Sequence, residues 1–487
     1  MWLLKMKNKI GGIILLFAII WQTILYFRLP SFIWEDAFVI SWFLSRGLAF
    51  YEDFSGGSYF PLLKLLMIPV NSFFSWNVHT TIVIGYFLAI SAILLIYHVS
   101  KRYLEGIFRI IPLIYFSIWF GFILKQNTFE INLFLGLLIL ANMHLLFRWM
   151  TKPNIKITFL AGLISSVAVF SQQMTIVSMG LFFIIMLIYS LTKHWSFKKI
   201  IFKIILPYSI GFIIIPIPML LWFYSKGLIK EFYFWNVLYY FQDGGYPFNR
   251  YFSSGDIIML AVLSVPFFLL TFRMFNKKNI SWQTSTIWLS IFTSIILTLI
   301  AVLHPRRYLY TLPTLSLLAG IESQFLSRSK KRIAKIGLIL VSIILGIYFL
   351  TNVAPWYTKA VIKGRIYEIQ NIHHPGDYVY EAIEWVKKNT KPEDRIFSFE
   401  TMIAYFEMQR LPAINRTYIL PWAFEPFSEM EILWNKSLPK YAFVSELMFE
   451  RFKDLGYEKE IRFLRNSLDK QYSKTAVFGW MSIYVKK

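Results

Sequence analysis

The chain has 487 residues, of which 57% are hydrophobic and 16% are charged, compared with about 25% charged residues in an ordinary soluble domain. Such a composition leaves too little polar surface to cover a soluble protein, which indicates that lipid surrounds much of the chain. The net charge is +23 and there are no cysteines. The absence of cysteine excludes disulfides, thiolate metal sites and cysteine nucleophiles.

The positive charge is concentrated in the apolar part of the chain. Residues 1–352 contain 30 of the 50 Lys and Arg residues but only 10 of the 27 Asp and Glu residues, and residues 353–487 contain the remaining 20 and 17. In a soluble protein this excess would suggest a nucleic-acid partner. Here it belongs to the segment that lipid surrounds, so its meaning depends on the side of the membrane on which it lies.

The N-terminal segment, MWLLKMKNKIGGIILLFAIIWQTILYF, is first basic and then apolar, as a signal peptide is. Its apolar run exceeds the roughly 7–15 residues of a signal core, and no small-residue cleavage site follows, so we predict a retained membrane helix. Segments of about 17–25 residues span a bilayer. They lie near residues 10–27, 78–99, 107–124, 131–149, 157–172, 174–192, 200–224, 256–275, 282–302, 308–326 and 333–352.

These segments separate two sets of loops that differ in charge. The loops on the N-terminal side hold 21 of the 30 basic and 2 of the 10 acidic residues of 1–352, and the opposite side holds 9 and 8. Basic residues accumulate on the cytoplasmic side of a membrane. The predicted fold is a polytopic α-helical membrane protein with about 11 transmembrane helices, its N-terminus inside and its C-terminus outside. This topology accounts for the charge without nucleic acid.

The first external loop, residues 28–77, contains two acidic pairs. Glu35 and Asp36 precede an amphipathic stretch, where a carboxylate suits general-base catalysis or the positive end of a helix dipole. Glu52 and Asp53 lie in a turn-rich connector, where they suit either a divalent cation shared with the first pair or solvated loop charges. The residues alone leave both alternatives open for each pair.

A second candidate site is the predicted external loop HPRR, which contains His304, Arg306 and Arg307. Guanidinium groups hold phosphate oxygens two at a time, although the same residues also extend to lipid headgroups. Lys125, in another short external loop, is a similar candidate. No HExxH or comparable histidine spacing occurs, so the sequence predicts no dedicated zinc site.

The composition changes after Asn352, which predicts a boundary between a membrane domain, residues 1–352, and an external domain, residues 353–487. The segment PGDYVYEAIEWVKKNT has the pattern of an amphipathic helix, and RIFSF, YAFVSE and the terminal TAVFGWMSIYVKK have the pattern of strands. A charged helix is expected near residues 447–468. These elements predict a small α/β domain that serves as a scaffold or docks an acceptor.

Several short patches carry a family resemblance. RGLAFYEDF, at residues 46–54, is similar to a G-x-x-x-Y-x-D-F pattern, and RRYLYTLPTLSLLAG, at residues 306–320, is similar to an R-Y-x-x-x-x-x-P helix. Together with the acidic first loop and the external C-terminal domain, these patches resemble the GT-C glycosyltransferases of the protein-mannosyltransferase and aminoarabinose-transferase type. The resemblance covers residues 1 to about 352 in topology.

The resemblance implies a membrane hexosyl- or pentosyltransferase with a polyprenyl-phosphate sugar donor and a glycan, lipid or protein acceptor outside the membrane. It implies that Asp36 or Glu35 deprotonates the acceptor, usually with inversion, and that Glu52 and Asp53 support this loop. Arg306 and Arg307, with His304 and Lys125, would bind the donor phosphate. Metal dependence varies in the family, so the resemblance leaves open whether a divalent cation is required. The Lys-rich, Ile-rich and Phe-rich composition favours a multi-pass protein of a prokaryotic plasma membrane.

Two departures from the family pattern bear on the site. The acidic pair is Glu-Asp here where many relatives have Asp-Glu or Asp-Asp, so either member is a candidate base. Ser171 stands where relatives often have a lysine in a Lys-Gln pair. The alternative functions are a transporter or flippase for lipid-linked glycans and a polymerase or ligase of such glycans. A transporter would place ionisable groups at mid-membrane, whereas here the carboxylates lie in loops.

Overall fold

The structure of the chain is a computed structural model. It describes residues 2–29, 35–51, 53–54, 60–74, 76, 78–125, 129–238, 254–275, 281–301, 305–329, 332–362, 378–400, 402–414, 430–454 and 457–487. The chain divides into two compact units. The first unit comprises Met1–Phe32, Thr81–Pro218 and Phe248–Ile369, and the second comprises Ile33–Thr80, Met219–Pro247 and Gln370–Lys487. The boundary predicted after residue 352 stays a prediction.

The described part of the first unit is helical, as its long apolar runs predict. Its α-helices, each assigned to the unit that holds most of it, are Trp2–Arg28, Val78–Tyr103, Ile111–Leu124, Ile131–Thr151, Ile155–Ser171, Ile176–Thr192, Phe197–Ile200, Leu206–Ile213, Ser254–Leu263, Val265–Phe275, Trp282–Ala301, Leu312–Arg328, Arg332–Tyr348 and Ala354–Tyr357. Short 3₁₀ segments lie at Gly106–Arg109, Gln173–Thr175 and Pro305–Tyr310. π-helical turns lie at Ile201–Ile205, Phe349–Val353 and Thr358–Ile362.

Among the described residues, six helices are long and apolar enough to cross a membrane: Gly11–Arg28, Thr80–Tyr103, Gly106–Leu124, Ile131–Thr151, Gln173–Thr192 and Ile339–Val361. Two bent pairs raise the number to eight if each pair is one span: Phe197–Ile213 with Pro216–Ser225 and Gly255–Leu263 with Val265–Phe275. The three remaining predicted segments are also helical, at Ile155–Ser171, Trp282–Ala301 and Leu312–Arg328. Every predicted apolar segment is therefore a helix, while the count of eleven spans and their orientation stay predictions.

A four-stranded sheet characterises the second unit. Its strands are β1 (Ile396–Phe399), β2 (Tyr441–Ser445), β3 (Tyr472–Phe478) and β4 (Met481–Lys486), in the order β1-β2-β4-β3. β1 and β2 are parallel, and the other pairs are antiparallel. The α-helices of the unit are Glu35–Ser45, Leu62–Phe74, Pro216–Ser225, Ile229–Asn236, Tyr378–Asn389, Ile403–Met408, Met430–Ser437, Glu446–Asp454 and Glu458–Gln471.

The predicted C-terminal elements are present, with two differences. The charged helix expected at 447–468 is two helices, Glu446–Asp454 and Glu458–Gln471. The terminal segment forms a hairpin, because Gly479 adopts a left-handed conformation with φ of 54° between β3 and β4. The apolar sides of the sheet and helices form one buried core, which includes Phe397, Trp434 and Leu464.

Candidate functional site

The arginine pair predicted from HPRR lies on a short 3₁₀ helix, Pro305–Tyr310, that leads into the helix Leu312–Arg328. The helix Ile131–Thr151 packs directly on the backbone of this segment at Gly136. A Cβ atom at Gly136 would lie 2.8 Å from the carbonyl oxygens of both Leu309 and Tyr310. This close approach brings the N-terminal end of one helix next to the two arginines.

Glu130 occupies that N-terminal end as the cap of the helix Ile131–Thr151. Its Oε1 accepts hydrogen bonds from the backbone N–H of Asn132 at 3.1 Å and from Nδ2 of Asn132 at 2.6 Å. Glu130 is only 1% exposed, and its Oε2 has no hydrogen-bond partner among the described residues. A buried carboxylate of this kind requires nearby positive charge to stay ionised.

The two arginines supply that charge. Burial raises the pKa of the Glu130 carboxyl, while Arg306, the two bonds from Asn132 and, less strongly, Arg307 act in the opposite direction. The opposing effects share a physical origin, because the low local dielectric that penalises an isolated charge also strengthens its attraction to a nearby opposite charge. Glu130, Asn132, Arg306 and Arg307 therefore form one electrostatic unit, which we name the arginine cluster.

A small pocket of about 20 Å³ lies against the arginine cluster. It is lined by Asn132, Gln172, Met174, Thr175, Leu297, Arg307 and Tyr310. Arg307 Nη1 also donates to the Met174 sulfur at 3.8 Å, and the Tyr310 hydroxyl donates to Ser178 Oγ at 3.1 Å. Asn132, Gln172 and Arg307, which lie in or next to three different predicted external loops, thus line one pocket of the first unit.

The chemistry of this pocket suits an anion that also carries hydroxyl or ester oxygens. Arg307 offers a guanidinium fork, and the amides of Asn132 and Gln172 offer both donors and acceptors. Arg307 is partly buried, which makes its attraction for an anion stronger than that of an exposed arginine.

Two other residues, Lys125 and His304, were also predicted for phosphate binding. Lys125 is exposed and ends the helix Ile111–Leu124 in a left-handed conformation with φ of 59°. The structure shows no contact between its side chain and the described residues of the arginine cluster. His304 lies outside the described residues. Their roles stay predictions.

The acidic pair predicted as the catalytic base, Glu35 and Asp36, forms the first turn of the helix Glu35–Ser45 in the second unit. A helix start is one of the two alternatives that the sequence left open for this pair, and it is compatible with catalysis. The side chains of both residues lie outside the described part of the chain. Which of the two acts as a base therefore stays a prediction.

The helix Glu35–Ser45 packs on the C-terminal domain. Trp42 and Phe43 contact the rings of Phe406 and Tyr405, with centroids 5.5 Å and 5.9 Å apart. Because these aromatic rings are buried, apolar burial anchors the helix that begins with the acidic pair. The side of the membrane on which the first loop and the C-terminal domain lie stays a prediction.

Asp53 stabilises a local turn. Its Oδ2 accepts a 2.8 Å hydrogen bond from the backbone N–H of Ala49, and the adjacent Tyr51 has a φ of 64°. The Tyr51 hydroxyl accepts a 2.7 Å bond from Asn236 Nδ2. Glu52 is outside the described residues. The predicted support of catalysis by these two carboxylates is thus untested, and the structure gives Asp53 a structural contact.

Lys64 is a buried lysine that was not among the predicted site residues. It is 2% exposed and lies on the helix Leu62–Phe74. Its carbonyl oxygen accepts a 2.7 Å hydrogen bond from the Ser41 hydroxyl, on the helix that begins at Glu35. A lysine within the apolar run LLKLLMI is the signal by which this residue could have been found.

Among the described residues, no group of three or more His, Asp or Glu side chains is placed to hold a metal ion. The side chains of Glu35, Asp36, Glu52 and His304 lie outside the described residues. Whether a divalent cation binds at the first loop therefore stays an open question, as it was from the sequence.

No protein-family model matches the sequence, and no curated protein is significantly similar to it. Solved structures with a similar fold include ArnT from Cupriavidus metallidurans bound to undecaprenyl phosphate (11% identity, 97% of this chain and 98% of that chain, TM-score 0.58). They also include the oligosaccharyltransferase AglB from Archaeoglobus fulgidus with an inhibitory peptide and a dolichol-phosphate (11% identity, 99% of this chain and 74% of that chain, TM-score 0.55). The same oligosaccharyltransferase in complex with Zn and sulfate is similar as well (13% identity, 97% of this chain and 73% of that chain, TM-score 0.52).

Both proteins belong to the GT-C superfamily. The resemblance predicted from the sequence patches is therefore confirmed at the level of fold, over nearly the whole length of this chain.

Proposed function

We propose that the chain is a multi-pass membrane glycosyltransferase that transfers a sugar from a polyprenyl-phosphate carrier to an acceptor on the outer face of the membrane. The observation that carries the proposal is the match of 97% of this chain to ArnT, whose solved structure holds undecaprenyl phosphate. AglB, with a similar fold, holds a dolichol-phosphate. Both ligands are polyprenyl phosphates, so a shared fold supports a shared class of donor.

The reaction follows from the chemistry of such a donor. The acceptor hydroxyl oxygen forms a bond to the anomeric carbon while the bond from that carbon to the phosphate oxygen breaks. The electron pair of the broken bond stays on the phosphate, which leaves as a polyprenyl phosphate monoester. A single displacement inverts the anomeric configuration. We assign the acceptor proton to Asp36 or Glu35, since a positioned carboxylate base accelerates such steps by about 10²–10⁴-fold.

The leaving phosphate gains negative charge in this step, which favours positive groups at its site. We assign this role to Arg306 and Arg307. The pocket beside Arg307 supports the assignment, because the guanidinium group and the amides of Asn132 and Gln172 offer donors to phosphate oxygens. The exposed Lys125 is a weaker candidate for the same site. We assign it a role in attracting the donor phosphate before the donor binds.

The test is transfer of a labelled sugar from a polyprenyl-phosphate donor in vesicles that contain the purified protein. We expect a glycosidic product from the wild type and about a hundredfold less from Arg307→Gln, as removal of one transition-state charge contact predicts. Arg328→Gln is the matched control, because Arg328 is exposed and pairs with Glu105 at the surface. Movement of the labelled lipid across the bilayer without a glycosidic product would replace the proposal with a transporter.

A further inference from the structure

We propose that an apolar groove between two helices of the first unit binds one anionic phospholipid, with the headgroup at Lys156 and an acyl chain along the groove. The inference goes beyond the proposed function, because it concerns a second lipid, at a different place. Lys156 lies in the first turn of the helix Ile155–Ser171, and Gln172, which lines the pocket beside Arg307, caps the other end of that helix. At 1.5 Å per residue the two positions are about 24 Å apart.

The groove has a volume of about 600 Å³ and lies between the helix Ile155–Ser171 and the continuous helical segment from residue 197 to residue 213. Thr158 Oγ1 donates a 3.1 Å hydrogen bond to the carbonyl oxygen of Lys203, which joins the two helices. The walls are apolar and open, since Phe202 is 54% exposed and Leu206 is 45% exposed. Lipid tails are as apolar as leucine, so an acyl chain matches these walls.

The length of the groove also suits an acyl chain. Its second wall runs from Phe202 to Ile210, which is about 12 Å along a helix. The hydrocarbon of one leaflet is about 15 Å deep, half of the roughly 30 Å core of a bilayer. The groove therefore holds most of the length of one chain.

One end of the groove is positively charged. Lys156 is exposed, and it is the one charged residue among the described residues that line the groove. Lys198 is also exposed and lies one turn before Phe202, so it is on the same side of its helix as that wall. Residues 148–203 contain seven Lys or Arg residues and no Asp or Glu. The two helices thus supply no carboxylate to neutralise this end, which favours an anionic headgroup.

Aromatic rings indicate the depth of the charged end. Lys199 Nζ lies 4.0 Å from the centroid of the Trp195 ring, and Trp195 contacts Trp149 with ring centroids 5.7 Å apart. Tryptophan is enriched at the boundary between hydrocarbon and headgroups. The lysines therefore lie at the level of lipid phosphates, and the apolar groove extends from there to the level of acyl chains.

Lys156 also occupies an unfavourable position in its helix. It lies in the first turn, where the positive end of the helix dipole favours acidic residues and disfavours cations. Residues that break such a local rule are expected at functional positions. A bound phosphate would offset the repulsion, because both the lysine and the helix end stabilise an anion.

The test is native mass spectrometry of the full-length protein released from nanodiscs that contain equal amounts of phosphatidylglycerol and phosphatidylcholine. The measured quantity is the ratio of the two lipids retained on the protein. We expect the wild type to retain phosphatidylglycerol in excess. Lys156→Gln should lower the ratio about fivefold, the effect of one lysine at an anionic lipid surface.

Lys101→Gln is the matched control for this loss of charge. Lys101 is exposed in the last turn of the helix Val78–Tyr103, on the same predicted side of the membrane, and it does not line the groove. This variant should keep the wild-type ratio. Lys198→Gln should lower the ratio, and it carries the test if Lys156→Gln does not fold.

A second pair of variants tests the groove itself. Leu206→Trp fills the groove and keeps every lysine, so it should lower the retention of phosphatidylglycerol. Leu94→Trp is its control, because Leu94 lies on the helix Val78–Tyr103 and has a similar exposure of 46%. It should retain both lipids as the wild type does.

An unchanged lipid ratio in folded Lys156→Gln overturns the proposal. An equal fall in Lys101→Gln also overturns it, since the preference would then follow from the overall positive charge. Unchanged retention in Leu206→Trp would show that the headgroup binds without a chain in the groove. A dimer that Leu206→Trp separates would show that a second copy of the chain covers the groove, and either result overturns the proposal. Sugar transfer is not measured, so failure of the proposed function leaves this test unaffected.

Discussion

Oε1 of Glu130 accepts a 2.6 Å hydrogen bond from Nδ2 of Asn132, and Asn132 also lines the pocket beside Arg307. One amide thus contacts both the buried carboxylate and the space where a ligand would bind. The orientation of Glu130 and the shape of the pocket are coupled through this side chain.

We expect Asn132→Ala to lower both stability and transfer. Loss of a buried hydrogen bond to a charged group lowers the free energy of unfolding by about 1–3 kcal/mol. Transfer should fall about tenfold, the effect of roughly 1.4 kcal/mol on donor binding. The measurements are thermal unfolding in detergent and the vesicle transfer assay.

Asn142→Ala is the matched control for this change. Asn142 lies on the same helix, is equally buried, and donates a 2.8 Å hydrogen bond to Ser165 Oγ away from the pocket. It should lose comparable stability and keep wild-type transfer per folded molecule. Loss of transfer in both variants would show that Asn132 acts only through stability.

Gly136→Ala tests the close packing that positions the arginines. Its added methyl group would lie 2.8 Å from two backbone carbonyl oxygens, which cannot rotate away as a flexible side chain can. We expect the free energy of unfolding to fall by about 1–3 kcal/mol, as for other overpacked sites. Transfer should fall as well, because the 3₁₀ helix Pro305–Tyr310 must move.

Gly180→Ala provides the comparison, since no atom lies within 4 Å of a Cβ built at Gly180. This glycine lies within the helix Ile176–Thr192, where alanine has the higher helix propensity. Stability should stay the same or rise by up to about 1 kcal/mol. Equal behaviour of the two variants would contradict the packing account.

Arg410 tests what holds the second unit together. It is 4% exposed, and it donates to Thr390 Oγ1 at 2.9 Å, to the Thr390 carbonyl at 2.8 Å and to the Met408 carbonyl at 3.1 Å. Lysine keeps the charge but lacks the planar fork. Arg410→Lys should therefore lower the free energy of unfolding by about 3 kcal/mol, about 1 kcal/mol for each of these three hydrogen bonds.

Hydrogen exchange measures this effect locally, as faster exchange in β1 and in the helix Tyr378–Asn389. Arg462→Lys is the control, because Arg462 is exposed and contacts Glu458 on its own helix, through a 3.5 Å surface ion pair and a 3.4 Å hydrogen bond to the backbone carbonyl. It should exchange as the wild type does. Wild-type exchange in Arg410→Lys would contradict a structural role for Arg410.

The pKa of Glu130 predicts a pH dependence of sugar transfer. Burial raises this pKa above its usual range, so protonation occurs at a less acidic pH than for an exposed glutamate, whose pKa is about 4.3. A protonated Glu130 is uncharged, as a glutamine is. The ratio of transfer by the wild type to transfer by Glu130→Gln, measured in the vesicle assay, should therefore approach one as the pH falls.

The same shift has a defined sign for stability. Because the folded state binds this proton more tightly than the unfolded state, the contribution is present at low pH and is lost as pH rises through the folded-state pKa. Wild-type stability relative to Glu130→Gln should therefore fall as the pH rises from the pKa of an exposed glutamate, about 4.3, toward the higher folded-state pKa. Parallel stability curves for the two proteins would contradict the raised pKa.

Much of this fold was accessible from the sequence, because long apolar runs and alternating loop charges are strong signals. Each predicted apolar segment is helical, two of them as bent pairs of helices, and Gln172 and Arg307, from two predicted external loops, line one pocket of the first unit. The hairpin at Gly479 was not resolved from the pattern of the terminal segment, since a single glycine between two apolar runs marks either a bulge or a turn.

The candidate site was only partly accessible. Arg306 and Arg307 could be predicted, because paired arginines at the end of an apolar helix have a distinct chemical use. Glu130 could not, since a lone acid in a short loop has no pattern, and its burial depends on the close contact at Gly136. Lys64 was missed for a similar reason: its burial depends on packing between two short helices.

The most direct test of the central claim is sugar transfer by the wild type, Asp36→Asn and Glu35→Gln in vesicles with a labelled polyprenyl-phosphate donor. The account predicts a glycosidic product from the wild type and a loss of about 10²–10⁴-fold in the variant that lacks the base, with Asp36 the first candidate. Wild-type transfer by both variants would contradict the account, since the first external loop would then not supply the base.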